Sequence, residues 1–325
     1  VNEQHEPGGD GKLRVAIAQR GPAYLDRVGT IARVVESIEQ GSDAGAGLIA
    51  FGEAFVPGYP FWLERVDAAR FESSEVKRLQ AAYLDQGVRL ERGDLDPVCE
   101  TAERCGIAVV LGIMERAQDR GGMSLYCSCV FIDRCGRIGS VHRKLMPTYE
   151  ERLSWAIGDG HGLRAHEVSG FMVGALNCWE NWMPLARASL HAQGETLHVG
   201  LWPGEARNTL DITRYAAVEG RMYVVSACAT GWATDVPGDV PMRDRIVAGG
   251  ELVKDGGSCI AGPDGSWIIE PVVGRDELIV ADLDPALVRA ERTTFDPAGH
   301  YARPDVLGLR VDRRRQRAAE FVDGP

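Results

Sequence analysis

FMVGALNCWENWMPLARASL, residues 171–190, sets an apolar run against a helical pattern, with a cysteine at the junction. Residues 171–176 read as a short buried strand that stops at Asn177. Pro184 then opens an Ala/Leu/Arg-rich stretch of helical spacing. Cys178 therefore stands where a strand gives way to a helix, followed directly by Trp179 and Glu180. The same alternation continues outward from this stretch. Upstream lie a strand at 13–19, a helix at 29–39, and a strand at 47–53 that ends on Glu53. A proline-rich loop (AFVPGYPFW), helices at 73–90 and 94–105, and a strand at 106–115 follow. LYCSCVFID and IGSVHRK, joined by RCGR, read as a hairpin that finishes on Lys144. Downstream come a strand at 196–203, a helix at 209–222 and a strand at 223–229. A hairpin turning at Pro263-Asp264-Gly265 and a last strand at 277–284 complete the pattern. Strands alternating with helices, interrupted by two hairpins, predict a mixed α/β sheet system rather than a simple doubly wound sheet.

No linker, repeat or low-complexity stretch divides the 325 residues. The expected organisation is a disordered polar lead at 1–12, a single domain at 13–311, and a tail at 312–325 that is a candidate oligomer contact. The start is too polar for a signal peptide and lacks an initiator Met, as a processed or engineered terminus would. No run approaches the roughly 20 apolar residues of a membrane span. A net charge of −11, from 36 basic and 47 acidic side chains, argues against nucleic-acid or anionic-membrane partners. The basic cluster Arg313, Arg314, Arg315 and Arg317 is interleaved with acids and reads as a solvated tail. Eight cysteines without a CxxC suggest a reducing cytoplasm rather than a disulfide scaffold. Only four of the basic residues are lysines, namely Lys12, Lys77, Lys144 and Lys254, so each retained lysine invites the question whether arginine would fail there.

Three expected strand ends carry reactive groups: Glu53, Lys144 and Cys178. Loops at strand C-termini form the crevice of α/β folds. A cysteine at a strand-to-helix turn has free backbone N–H groups and a helix N-terminus beside it, which favour the thiolate. A carboxylate can move protons to and from such a thiol, and a lysine can hold charge developing on the atom under attack. Taken singly, each has a plainer reading: a small buried hydrophobe, a surface or capping carboxylate, a solvated ammonium. Cys127, Cys129 and Cys135 with His142 are a nominal metal set, but packing accounts for them better. No nucleotide-binding loop is present, so no metal and no cofactor is expected. His198 and His300 read as structural.

CWENWMP around Cys178, FGEAFVPGYP around Glu53 and HRKLMPTYEERLSWAIGDG around Lys144 resemble the three signature segments of the nitrilase superfamily, in order and spacing. GLWP, AAVEGRMYVVSAC, GGSCIAGPDG and FDPAGHYARPDVLGL extend the resemblance over nearly all of the chain after residue 12. It implies an α-β-β-α sandwich that pairs into oligomers, often spirals. It also implies Cys178 as nucleophile, Glu53 as general base and acid, and Lys144 with the Trp179 amide as charge stabilisers. Glu151 of the PTxxER segment would orient Lys144 and the attacking water. The CWE triplet and HYARPD resemble the true nitrilase branch, with Asn181 where many bacterial members have histidine. The activity implied is hydrolysis of a small organic nitrile to acid and ammonia. The alternatives are an amidase or carbamoylase using the same residues, or a non-catalytic oligomeric scaffold. Tyr59, Phe61, Trp62, Trp182 and Trp202 lie near these segments and are candidate pocket walls, Trp62 and Trp202 foremost.

Overall fold

The computed structural model describes residues 11–320 and Val322, so the lead at 1–10 and the tail residues 321 and 323–325 lie outside the described residues. Thirteen strands form two sheets among the described residues. The first holds β1 (Leu13–Gln19), β2 (Leu48–Ala50), β3 (Ala108–Arg116), β4 (Leu125–Ile132), β5 (Ile138–Arg143) and β13 (Glu277–Leu283), in the order β13-β1-β2-β3-β4-β5. The second holds β6 (His166–Val168), β7 (Phe171–Asn177), β8 (Leu197–Trp202), β9 (Tyr223–Cys228), β10 (Thr230–Trp232), β11 (Leu252–Ala261) and β12 (Trp267–Val273). Its order is β10-β11-β9-β8-β7-β6, with β12 paired to β11. Parallel pairs at the centre (β1/β2/β3 and β7/β8/β9) and antiparallel pairs at the flanks make both sheets mixed.

Side-chain alternation explains the layering. Val15 and Ile17 of β1, and Ala108 and Val110 of β3, face Val173, Val199 and Val225 of the opposite sheet. Their neighbours Ala16, Ala18, Val109 and Leu111 pack instead beneath α1 (Arg27–Asp43) and α4 (Asp96–Cys105), on the outer face. Both faces of these strands are buried, which is why they read as continuous apolar runs. On the far side α5 (Pro184–His191) and α6 (Ala206–Gly220) cover the second sheet through Ala186, Leu190, Ala216 and Ala217. The result is an α-β-β-α sandwich.

Two elements end earlier than their sequence pattern. The strand expected over 47–53 is confined to β2, and its continuation bends across both sheets. Phe51 N donates to Val110 O, and Glu53 N donates to Trp202 O at 3.1 Å. Only glycine fits this crossing: a Cβ on Gly112 would stand 2.1 Å from Gly52 O, and one on Gly52 would stand 2.8 Å from Trp202 O. The helix expected over 73–90 stops at Asp85, because the chain must turn at Gly87 against the side chains of Arg116 and Leu125. Both hairpins form as expected; the second closes with Gly265 N donating to Gly262 O at 2.8 Å. The described part of the tail lies against the turn at 159–161, where Arg315 donates to Asp159 and to Val141 O.

Candidate active site

Cys178 follows β7 directly, with φ at +48°, and begins a short 3₁₀ turn over Cys178–Trp182. Such a backbone is uncommon for a non-glycine residue and must be held by its surroundings. Asn181 supplies part of that hold: its Nδ2 donates to Cys178 O at 2.8 Å and to Leu176 O at 3.3 Å. Its Oδ1 lies 2.7 Å from His198 Nε2, and His198 Nδ1 lies 2.7 Å from Glu195 Oε1. Because Asn181 uses its N–H groups on carbonyls, its Oδ1 accepts, so His198 Nε2 carries a proton. Asn181, His198 and Glu195 are all buried, and Glu195 fits only because residue 174 is glycine, whose Cβ would stand 2.0 Å from Glu195 Oε1.

Glu180 links the two sheets. Its carboxylate accepts from Asn177 N at 2.9 Å, from Leu145 N at 2.6 Å, and from His142 Nε2 at 3.0 Å. Burial by itself would raise this carboxyl, but His142 and the two backbone donors hold it below its ordinary value. The end of β5, carrying Lys144, is thereby tied to the turn carrying Cys178.

The Lys144 ammonium lies fully buried between two carboxylates, 2.7 Å from Glu53 Oε1 and 2.6 Å from Glu151 Oε2. Burial opposes its charge, yet Glu53 and Glu151 together hold it protonated, well above the usual lysine range. Glu151 also accepts from Thr148 N at 2.6 Å and from Tyr59 Oη at 3.0 Å. Glu53 is pushed up to about 7, by burial first and by Glu151, against the pull of Lys144. Its Oε1 takes Lys144 and, at 3.5 Å, the Cys127 thiol, while its buried Oε2 has no hydrogen-bond partner among the described residues. Donor atoms of Glu53, Glu151 and Cys178 all lie within 4.8 Å of one another. The cation that such a donor set calls for is already there, as the Lys144 ammonium.

The strand-to-helix position was expected to favour the thiolate at Cys178, and its surroundings work against that preference. Burial and then the charge of Glu53 push the thiol well above its ordinary value, and Lys144 with the Trp179 N–H offsets only part of that. The expected helix N-terminus is displaced from the sulfur, because α5 begins six residues later, beyond the 3₁₀ turn. A protonated thiol next to a carboxyl poised near neutrality requires a base at the moment of attack, and Glu53 Oε2 is free to serve.

A cavity of about 250 Å3 opens over Cys178, lined among others by Tyr59, Phe61, Trp179, Glu205 and Lys254. Of the expected aromatic walls, Tyr59 and Phe61 are there. Trp62 is not: it is fully buried against Phe61 and Tyr83, since its short helical turn directs it into the core. Trp202 packs beneath the site with Cys178, Ile212 and Cys228. Trp182 lies on the surface, stacked between Trp179 and Tyr215. The nominal metal set is dispersed, with Cys127 on Glu53, Cys129 in the inter-sheet core, His142 on Glu180 and Cys135 exposed in its turn. His300 is exposed beside Tyr301. Glu180, the Asn181–His198–Glu195 chain and the Glu205–Lys254 pair were not singled out as site residues from sequence, although Glu180 lies inside the CWE triplet.

An α-β-β-α sandwich with glutamate, lysine and cysteine brought together at the ends of both sheets defines a class of thiol-dependent hydrolases acting on carbon–nitrogen bonds. The chain belongs to the carbon-nitrogen hydrolase family, whose model matches residues 14–293. It is 35% identical over 316 residues to Nitrilase 2 from an unknown prokaryotic organism, covering 97% of each chain. It is 37% identical over 312 residues to a nitrilase of Pseudomonas syringae pv. syringae, covering 91% of this chain and 89% of that one. An arylacetonitrilase of Macrophomina phaseolina is 35% identical over 332 residues, with 94% and 92% covered. Among solved structures, a variant of the Nesterenkonia AN1 amidase from the nitrilase superfamily shares the fold. Its TM-score is 0.64 at 20% identity, with 89% of this chain and 97% of that chain covered. No helix among the described residues is long and apolar enough to cross a membrane.

Proposed function

We propose that the protein is a nitrilase, converting an organic nitrile and two waters to the carboxylic acid and ammonia. The observation that carries this reading is the Lys144 ammonium clamped between Glu53 and Glu151 within reach of the Cys178 thiol. The likeness to nitrilases over nearly the whole chain favours a nitrile over an amide. In the first step the thiol proton passes to Glu53 Oε2 as sulfur bonds the nitrile carbon. The former nitrile nitrogen, held by Lys144 and the Trp179 amide, takes that proton from Glu53 to give a thioimidate, which leaves Glu53 ionised again. Water then adds, giving its proton to Glu53, and Glu151 holds Lys144 in place. Glu53 passes that proton to the nitrogen and then relays the adduct's hydroxyl proton to it as the C–N bond breaks, releasing ammonia and leaving a thioester. A second water hydrolyses the thioester, and the C–S bond breaks to restore the thiol. Loss of the thiol from the tetrahedral adduct, in place of ammonia, releases an amide instead.

A compact ammonium suits the gap between two carboxylates, where a planar guanidinium would intrude. Self-association is part of this reading, supported by Leu185, Leu210, Tyr215 and Val218 exposed on α5 and α6. Eight free cysteines support a reducing, cytoplasmic setting. The test is ammonia release from a panel of aryl, arylacetic and aliphatic nitriles, each beside its amide, with Cys178→Ala as the control. Turnover of nitriles that is absent in the variant is expected; turnover of amides alone would move the protein to the amidase branch.

A further inference from the structure

The fourth lysine of the chain lines the pocket. Lys12 and Lys77 lie on the surface with side chains more than half exposed, whereas that of Lys254 is only 12% exposed. Its Nζ donates to Glu205 Oε1 at 2.9 Å and stands 5.3 Å from the centre of the Tyr59 ring. Glu205 accepts from Arg207 through its other oxygen. One carboxylate thus holds two cations, Arg207 out in solvent where water and salt weaken its field and Lys254 shielded on the cavity wall. An ammonium has three donors, and Glu205 occupies one of those on Lys254. The arrangement is held by unusual backbone: Glu205 has φ at +72°, and a Cβ on Gly204 would stand 2.8 Å from that of Lys254. A strained glutamate beside a glycine that admits one lysine is a local cost that sites, rather than solvated surfaces, retain.

The opposite end has the reverse polarity, for Glu53 and Glu151 outnumber Lys144 there. Tyr59 separates the two ends, its hydroxyl on Glu151 and its ring under Lys254. Arg65, also on the wall, is engaged with the carbonyls of Ile246 and Gly250. Glu64 and Glu150 stand nearer solvent, where water and salt weaken their fields. An anionic group is therefore repelled from the reacting end and drawn to the Lys254 wall.

We infer that the Lys254–Glu205–Arg207 wall is a carboxylate subsite, so that the preferred substrates are short aliphatic nitriles bearing a carboxylate at the far end from the cyano group. This rests on the nitrilase reading. The subsite orients the substrate: carboxylate on Lys254, nitrile carbon toward Cys178.

The experiment compares the mononitrile of glutarate with pentanenitrile, which carries a methyl in place of the carboxylate. In the wild type kcat/KM is expected to favour the cyano acid by tenfold or more, chiefly through KM. Lys254→Met, which keeps the stem over Tyr59, is expected to cut that preference at least tenfold. Lys254→Gln serves as a second variant should the first fold poorly. Equal kcat/KM for the two nitriles, or a preference unchanged in the variants, overturns the subsite. Calorimetric titration of the same two compounds into Cys178→Ala, with and without Lys254→Met, separates this inference from the reaction assigned. Tighter binding of the cyano acid that requires Lys254 upholds the subsite even if only amides are turned over. Equal binding overturns it even if nitriles are hydrolysed.

Discussion

Lys144→Met isolates the electrostatic role of the buried ammonium, because methionine fills nearly the same space without charge. At an effective dielectric of about 20, each ammonium–carboxylate contact near 2.7 Å carries roughly 6 kcal/mol of gross attraction. Desolvation cancels much of it, and removing one partner of a buried pair typically costs about 3–5 kcal/mol. At about 2–4 °C per kcal/mol, melting should fall by roughly 6–20 °C, toward the lower end in a chain of this size. Two carboxylates left facing each other within 4.8 Å then retain a proton. Glu53, already at about 7, moves higher, since Lys144 is the main influence holding it down. The charge stabilisation lost in the reaction is worth about 10²–10³ in kcat. Calorimetry follows the melting. Peptide mass spectrometry of iodoacetamide-treated protein follows alkylation of Cys178 against pH, apart from exposed Cys135. In the wild type the rate should rise as Glu53 ionises through about 7. In the variant the rise should move up by about one pH unit or more. A variant melting within about 2 °C of the wild type, with an unshifted profile, would refute the reasoning.

Three further outcomes are expected. Wild-type kcat/KM should climb as pH rises through about 7, since Glu53 must be ionised to accept the thiol proton, and Glu53→Gln should abolish both the climb and turnover. Asn181→Ala strands the Cys178 carbonyl and His198 Nε2 in the interior, so a loss of about 1–3 kcal/mol per stranded group is expected from chemical denaturation. The accompanying fall in kcat should exceed any change in KM. Deletion from residue 312 removes the Arg315–Asp159 contact and is expected to change particle mass by light scattering; an unchanged mass would end the view that the tail adjusts assembly.

Particular residues show why some features were legible and others not. Val109 and Val110 face opposite layers, both apolar, so β3 announces itself as an uninterrupted run. Cys178, Glu53 and Lys144 stand at or just beyond strand ends, where the change of pattern marks the position of each. The protonation state of Cys178 was illegible, because local pattern does not count the carboxylates that converge from distant segments. Trp62 and Trp202 were misplaced for a related reason. Proximity along the chain says nothing of side-chain direction, and Tyr59 points into the cavity while Trp62, three residues on, points into the core. Glu205 and Lys254 are 49 residues apart, and only the pairing of β11 into the second sheet brings them together.

The Glu180 carboxylate, gripping Leu145 N, Asn177 N and His142, makes the reacting atoms a single rigid casting shared by two sheets. Glu205, on the loop before α6, and Lys254, near the start of β11, lie outside that casting. Inheritance can therefore act on the two separately. Changes at the rim are free to retune which molecules are accepted while bond-breaking continues, so a lineage built on this scaffold can diversify its diet without first losing its chemistry.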